Sequence, residues 1–291
     1  MQVFKQGNKL GQLMWLPVIM AAVLAAVWFA AKGNTTAVHA DEPLIVYVSS
    51  SSAAVLPNGL AVADEDILAL DANTGTWSLF FDGSEFGLKS QDINALEILD
   101  DGSLLLSFDQ TNSVVPGLGT IKDSDIVKFT PDTPGNYSSG AFTLYMDGSD
   151  IGLTTLGEDI DALAIADNGD LLISTFGTAK VKDANGQVLK AADKDLLRLH
   201  LTQIGDVTAG VWSLYFDGSD VALTQTSEDI DGAWYDTANG DLLLSTLGRV
   251  VVNGLRGTKA DIFTPARHLY PVQTRPVHLA RMYSGQGQLR I

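Results

Sequence analysis

The chain contains no cysteine. It is therefore held together by neither disulfides nor thiolate metal sites, and a lipid anchor attached through an N-terminal cysteine is excluded. Basic residues are scarce too, with 18 Lys and Arg against 35 Asp and Glu and a formal net charge of −17. Residues 41–266 carry all 35 acids and only 11 of the basic residues, a difference of −24. Such a body repels nucleic acid and anionic lipid and favours solubility and cation binding. It also lacks the basic residues that a phosphate-processing site would place beside a cation. Only one of the four histidines, His200, lies in this body. No G-x-S-x-G nucleophile signature accompanies it, so a Ser-His-Asp triad has no support. No EF-hand spacing is present. No stretch beyond residue 40 has helical period and length, which also leaves no glycine-rich phosphate loop ahead of a helix.

The two ends differ from the middle. Lys5 and Lys9 precede an apolar run from Leu13 to Ala31, and small residues lead up to Ala40 before Asp41. This is the layout of a secretory signal peptide, and the run is also long enough to span a bilayer as a hydrophobic helix. Cleavage after Ala40 and retention as an N-terminal anchor are both open, and membrane contact is expected only if the segment is retained. In either case residues 41–266 are expected outside the cytoplasm, and that segment is long enough to bury a core. Residues 267–291 contain four arginines, two histidines and no acid. They abandon the repeat described next, as a frameshifted or truncated last unit would, or a basic extension.

The middle is repetitive, which has to be recognised before the fold is argued. FDGSEFGLKSQDINALEILDDGSLLLSFD from Phe81, MDGSDIGLTTLGEDIDALAIADNGDLLISTF from Met146 and FDGSDVALTQTSEDIDGAWYDTANGDLLLSTL from Phe216 share one pattern. Each unit has four apolar runs of strand length, in the second complete unit Ile160–Ala166, Asp170–Phe176, Asp195–Leu201 and Val211–Phe216. The first two are joined by Asp167-Asn168-Gly169, matched by Asp101-Gly102 and Asn239-Gly240 elsewhere, and such dipeptides are strong tight-hairpin signals. Four-stranded antiparallel units of 65 to 70 residues predict an all-β chain, a β-propeller with four-stranded blades. Trp77, Trp212 and Trp234 lie in the apolar runs, where packing between blades is expected.

The order of strand, Asp-Gly-type turn, strand, strand and outer strand in DIDALAIADNGDLLISTF, DLLRLHL and VWSLYFDGSD resembles the blades of NHL and gluconolactonase-like propellers. The resemblance covers most of residues 44–265. The FDGSD…DIDA wording is similar to that of exported bacterial repeat proteins of unknown activity. In that phase the inner strands start at Asp92, Asp159 and Asp229, and Leu44–Ser50 is a second strand. Asp261–Thr264 is then a third strand, where the repeat stops. That makes about four blade equivalents, two complete and two incomplete. A closed four-bladed ring and an incomplete copy of a larger one are both open.

Three acidic clusters recur. One is the turn Asp82–Glu85, repeated at Asp147–Asp150 and Asp217–Asp220. Another is the D-x-D pair Asp64/Asp66, Asp123/Asp125 and Asp193/Asp195. Turn formation and backbone capping are the expected roles of both. The third precedes the inner strands: Asp92 and Asn94, then Glu158, Asp159 and Asp161, then Glu228, Asp229 and Asp231. Side chains two apart on a strand share a face, so inner strands meeting at an axis would gather Asn94, Asp161 and Asp231. Gluconolactonase-like propellers hold a cation with oxygen ligands gathered this way, so the resemblance implies a Ca²⁺ site among Asn94, Asp159, Asp161, Asp229 and Asp231. The ligand pattern of those enzymes is not reproduced residue for residue. The expected function is an exported, non-catalytic propeller that binds an extracellular ligand or protein, or mediates adhesion, with Ca²⁺ stabilising it. The alternatives are a Ca²⁺-dependent hydrolase of lactonase or esterase type, or a truncated product without activity.

Overall fold

The computed structural model describes residues 2–4, 44–265 except 90, 239, 253 and 254, and the pairs 280–281 and 289–290. The expected leader helix, the cleavage site and most of the basic tail lie outside the described residues. Among the described residues no helix is long and apolar enough to cross a membrane.

The structure is all-β and built from successive antiparallel sheets. Sheet one contains β1 (Ile45–Ser50), β2 (Ile67–Asp71) and β3 (Thr76–Phe81), in that order. Sheet two contains β4 (Ile93–Ile98), β5 (Leu104–Phe108), β6 (Ile126–Thr133) and β7 (Asn136–Met146). Sheet three repeats it with β8 (Ile160–Ile165), β9 (Leu171–Thr175), β10 (Leu196–Gln203) and β11 (Ala209–Phe216). In sheet four β12 (Gly232–Asp236) pairs β13 (Asp241–Ser245). A bridge from Leu244 to Phe263 brings β14 (Asp261–Ile262) alongside. The expected phase is therefore seen: sheets two and three have four strands, while sheets one and four have three strands of the repeat each.

Burial follows position in the sheet. Every residue of β5 and β9 is buried, because these second strands are covered on both faces, which is why they read as mostly apolar runs broken only by small hydroxyl residues. The outer strands β3, β7 and β11 carry exposed polar residues between apolar ones. Four apolar layers join the sheets. Ile67 and Phe81 meet Ile93, Leu106 and Phe129 between sheets one and two. Ala95, Leu105 and Ile126 meet Leu163, Leu171 and Trp212 between sheets two and three. Ala162, Leu172 and Phe216 meet Ile230, Leu242 and Leu244 between sheets three and four. In the fourth layer Val46, Val48, Leu68 and Leu70 of sheet one meet Ile262, Trp234 and Leu243 of sheet four. Four sheets with four layers return to their starting point, an arrangement consistent with propeller blades. Trp212 is buried in this packing and its indole N–H donates to the Ile151 carbonyl at 2.9 Å.

Two features were not expected. A small two-stranded hairpin joins the second and third strands of every unit: Ala54–Val55 with Ala61–Val62, Ser113–Val115 with Gly119–Ile121, Ala179–Lys182 with Val188–Ala191, and Val251–Val252 with Leu255–Arg256. Each Asp-Gly-Ser turn closes as a short 3₁₀ helix, at Gly83–Phe86, Gly148–Ile151 and Gly218–Val221. Its Asp accepts from the backbone N–H of the following Ser. Its Gly is required by contact, since a Cβ at Gly83, Gly148 or Gly218 would overlap the carbonyl oxygen of Glu65, Ser124 or Lys194.

Gly148→Ala should therefore lose about 1–3 kcal/mol, the range for overpacking a close-fitted site. Ala222 ends the third 3₁₀ helix at φ 67°, where the first two have Gly87 and Gly152. Ala222→Gly should gain up to about 1 kcal/mol, as relief of left-handed strain exceeds the entropy lost. Urea unfolding of the two variants beside the parent checks both signs.

Candidate functional site

The sheets leave most recurring acids with structural partners. The second Asp of each D-x-D spans two loops. Asp66 accepts from the N–H groups of Ala63 and Gly83, Asp125 from Lys122 and Gly148, and Asp195 from Ala192 and Gly218, all between 2.7 and 3.2 Å. Burial raises the pKa of all three, opposed by these N–H bonds. The first Asp works through its backbone. The carbonyls of Asp64, Asp123 and Asp193 accept from the N–H groups of Ile93 and Ile160, which open the next inner strand, and of Ile230, two residues before one. The D-x-D is thus a stitch between consecutive sheets. Glu158 and Glu228, which open the acidic run ahead of inner strands three and four, are also consumed. Glu158 accepts from Thr154, Thr155 and Lys180 N–H, and Glu228 from Thr224, Gln225 and Val251 N–H. In sheet two Gln91 stands in this place and accepts from Val114 N–H.

What is left is the set before and at the start of the inner strands. A register shift between Ile160 and Ala162 makes Asp161 a bulged residue, and Asn94 is its equivalent between Ile93 and Ala95. The expected two-residue alternation is thus replaced by a bulge, which lets neighbouring acids both face inward. Asp159 and Asp161 are 8 % and 5 % exposed, Asp229 and Asp231 3 % and 4 %, and Asn94 3 %. The inner strands β4, β8 and β12 stand side by side. A narrow axial cleft is lined by Ser49, Asn94, Asp161 and Gly232, one from each sheet. Asp231, next to Gly232, accepts from Ser245 Oγ at 2.8 Å.

A set of linked carboxyl groups results. Asn94 Nδ2 donates to Asp159 Oδ1 at 3.1 Å and to the Ile160 carbonyl at 2.9 Å. Burial, then the charge of Asp109 and a hydrogen bond with it, push the Asp159 carboxyl up to about 9. Asp161 is raised well above the ordinary range by burial and by the charges of Asp229, Asp159 and Asp231. Burial and the charges of Asp193 and Asp231 push Asp229 up to about 8, against Lys194 and a hydrogen bond from Asp161. Three buried oxygens at this place have no hydrogen-bond partner: Asn94 Oδ1, Asp161 Oδ1 and Asp229 Oδ1.

Carboxylate and amide oxygens are hard donors of the kind Ca²⁺ takes, but the ion needs six to eight of them. Among the described residues no group of three or more His, Cys, Asp or Glu is spaced to hold a metal ion. The donor chemistry fits Ca²⁺; completing a shell would require side-chain rotation, carbonyls or water. His200 sits elsewhere, on sheet three, 63 % exposed at its side chain, with Nδ1 2.7 Å from Asp170. Despite burial, hydrogen bonds from Asn168, His200 and Arg198 hold Asp170 below the usual carboxylate range. No family model and no curated protein matches the chain. Solved structures do, at low similarity. YjhT is 13% identical with a TM-score of 0.29, over 74% of this chain and 52% of its own. The extracellular domain of a candidate one-component system from B. thetaiotaomicron is 14% identical with a TM-score of 0.27, over 78% and 33%. A candidate gluconolactonase is 14% identical with a TM-score of 0.30, over 75% and 85%. The chain spans about half of the first and a third of the second, and at these scores the likeness carries no functional inference.

The raised carboxyls fix a sign for pH dependence. Folded, Asp159, Asp161 and Asp229 keep protons that the unfolded chain gives up near pH 4, so their stabilisation is complete below that value. For Asp159 and Asp229 it is lost as pH rises toward about 9 and about 8, at about 1.4 kcal/mol per pH unit for each proton. In EDTA the melting temperature should fall from pH 5 to pH 9, and Asp161→Asn should flatten the fall. A melting temperature that rises over this interval contradicts the assignment.

Proposed function

We propose that the chain is an exported, four-bladed β-propeller that binds an extracellular ligand or protein without catalysis, with Ca²⁺ as a structural ion at its axis. The observation that carries this reading is the set of partnerless buried oxygens on Asn94 and Asp161, at the start of two inner strands, and on Asp229, three residues before the next. Asp159 and Asp231 flank them. A divalent cation here would relieve the mutual repulsion that otherwise holds these carboxyls protonated. The non-catalytic part rests on the repeat itself, since most recurring acids serve as backbone acceptors in the same way in successive units. Export rests on the leader-like first forty residues.

Thermal melting at pH 8 with added Ca²⁺ tests the ion. Saturating Ca²⁺, at about a hundred times its Kd, should add about 2.7 kcal/mol, and Asp161→Asn with Asp231→Asn should abolish the gain. No shift with millimolar Ca²⁺ sinks the calcium reading. A panel of esters and lactones assayed on the Ca²⁺-loaded protein then separates binding from hydrolysis. Turnover that is lost in the same double variant would favour the Ca²⁺-dependent hydrolase instead.

A further inference from the structure

The hairpins between second and third strands carry a charge pattern unlike that of the rest of the body. Residues 176–192 and 247–260 hold the hairpins of sheets three and four. They contain six of the 11 basic residues found between 41 and 266 and only one of the 35 acids, Asp183. The hairpin of sheet three sets Lys180 opposite Lys190 and Lys182 opposite Val188. All four side chains are exposed, while the alternate residues Ala179, Val181 and Ala191 pack into the apolar layer below. In the hairpin of sheet four Val251 lies opposite Arg256, and both are exposed, as is Arg249. Like charges directly opposed on one face of a strand pair are destabilising, and an anion meeting that face relieves them. The acids closest in the chain are committed to backbone. Glu158 and Glu228 are buried and accept from the N–H groups of Lys180 and Val251, and Asp183 accepts from those of Asn185 and Gln187 in its own turn.

Large apolar side chains stand among these cations. Leu156 is 79 % exposed, Val188 64 % and Phe176 58 %, and Leu247 and Val251 are exposed in sheet four. The Gly177 N–H donates to the Gly157 carbonyl at 2.9 Å, which holds the stretches bearing Phe176 and Leu156 side by side; Gly248 and Ser227 repeat the bond at 2.8 Å. Each hairpin follows a second strand that ends beside the start of its inner strand, and the D-x-D after the hairpin meets the entry of the next inner strand. All four hairpins therefore lie at the same end of the sheets. Those of sheets one and two expose Val55 and Val114, but residues 51–62 and 109–121 contain no Lys or Arg.

We propose that this end docks on an anionic lipid bilayer through the hairpins of sheets three and four. Lys180, Lys182, Lys190, Arg249 and Arg256 meet the headgroups, and the apolar tips enter the boundary beneath them. Cations alone would suit any polyanion. The exposed Leu156, Phe176 and Val188 in their midst select a surface that has an apolar layer behind its charge. The net negative charge of the body does not prevent this approach. Inner and second strands of five or six residues hold the acidic turns at the far end about 15–20 Å away, beyond the Debye length of about 8 Å at physiological salt. The exposed acids Asp150 and Asp220 stand on the 3₁₀ helices that follow the outer strands, at the margin of this end. Repulsion of the remaining surface therefore orients the molecule with its basic lobes toward the lipid. The surface depends neither on the axial ion nor on the leader.

Because the chain has no cysteine, one introduced cysteine can carry a polarity-sensitive fluorophore. The full chain labelled at Val188→Cys, mixed at low salt with vesicles of phosphatidylcholine and phosphatidylglycerol, should shift its emission to the blue and be quenched by a spin label on the acyl chains. Vesicles of phosphatidylcholine alone should leave it unchanged. The same label at Ala238→Cys, in the turn between β12 and β13 at the far end of sheet four, should not respond. That control separates docking of this end from insertion of the apolar leader segment. Lys180→Gln, Lys182→Gln and Lys190→Gln should each weaken partitioning about fivefold without changing the melting temperature, and the Arg variants should retain it. No emission change on the anionic vesicles overturns the proposal, as does an equal change at Ala238→Cys or on neutral vesicles. The same change with soluble polyaspartate, or with concentrated protein alone, also overturns it, and assigns the lobes to an acidic protein or a second copy of the chain.

Discussion

A carboxylate taken out of water must be met by hydrogen-bond donors, a cation or a proton, and this chain has too few cations to do the work. Ion pairs among the described residues include those of Lys128, Lys194 and Arg198. The acids are met instead by backbone N–H groups. Asp66, Asp125 and Asp195 each tie a D-x-D loop to an Asp-Gly-Ser turn, Asp261 accepts from Thr258, and Glu158 and Glu228 each gather three N–H groups. Acidity is therefore part of how the repeat holds its loops, beyond any benefit to solubility. The same constraint isolates the axial group, where carboxyls outnumber donors and protons or a cation must supply the balance.

Sheet assembly and axial chemistry are connected through the stitch between sheets. Each D-x-D carbonyl fixes the backbone at the entry to the next inner strand, and in sheets two and three the bulge that follows brings Asn94 or Asp161 to the axial cleft. Loosening one stitch would shift an axial oxygen as well as a sheet. A site built this way is preorganised by the apolar layers on either side of each blade, which suits a binding scaffold whose ligand contacts are presented on rigid strands.

Much of this was legible in the sequence, for physical reasons. The FDGSD and DIDA words recur because each is fixed by a contact repeated in every unit, such as the glycine under the Lys194 carbonyl. Strand positions and phase followed from apolar runs and Asp-Gly-type turns, and the predicted Ile160–Ala166 strand is observed as Ile160–Ile165. The hairpins between second and third strands escaped notice, since AKVK with VLKA and SVV with GTI share no wording. The bulge at Asp161 also escaped, because one inserted residue leaves the apolar pattern almost unchanged. The role of Glu158 as a loop acceptor was hidden in an acidic run that looked uniform. The layer joining sheets four and one was not legible, because Ile262 and Val46 are brought together only by the whole succession of sheets.

The central claim is that the folded axis holds protonated carboxyls in the absence of metal. Calorimetric unfolding at pH 7 in EDTA, repeated in buffers of different ionisation enthalpy, counts the protons exchanged with solvent. The account predicts net release of more than one proton on unfolding, reduced in Asp161→Asn, because the unfolded chain ionises groups that the fold keeps neutral. Release of no proton, or net uptake, would contradict it.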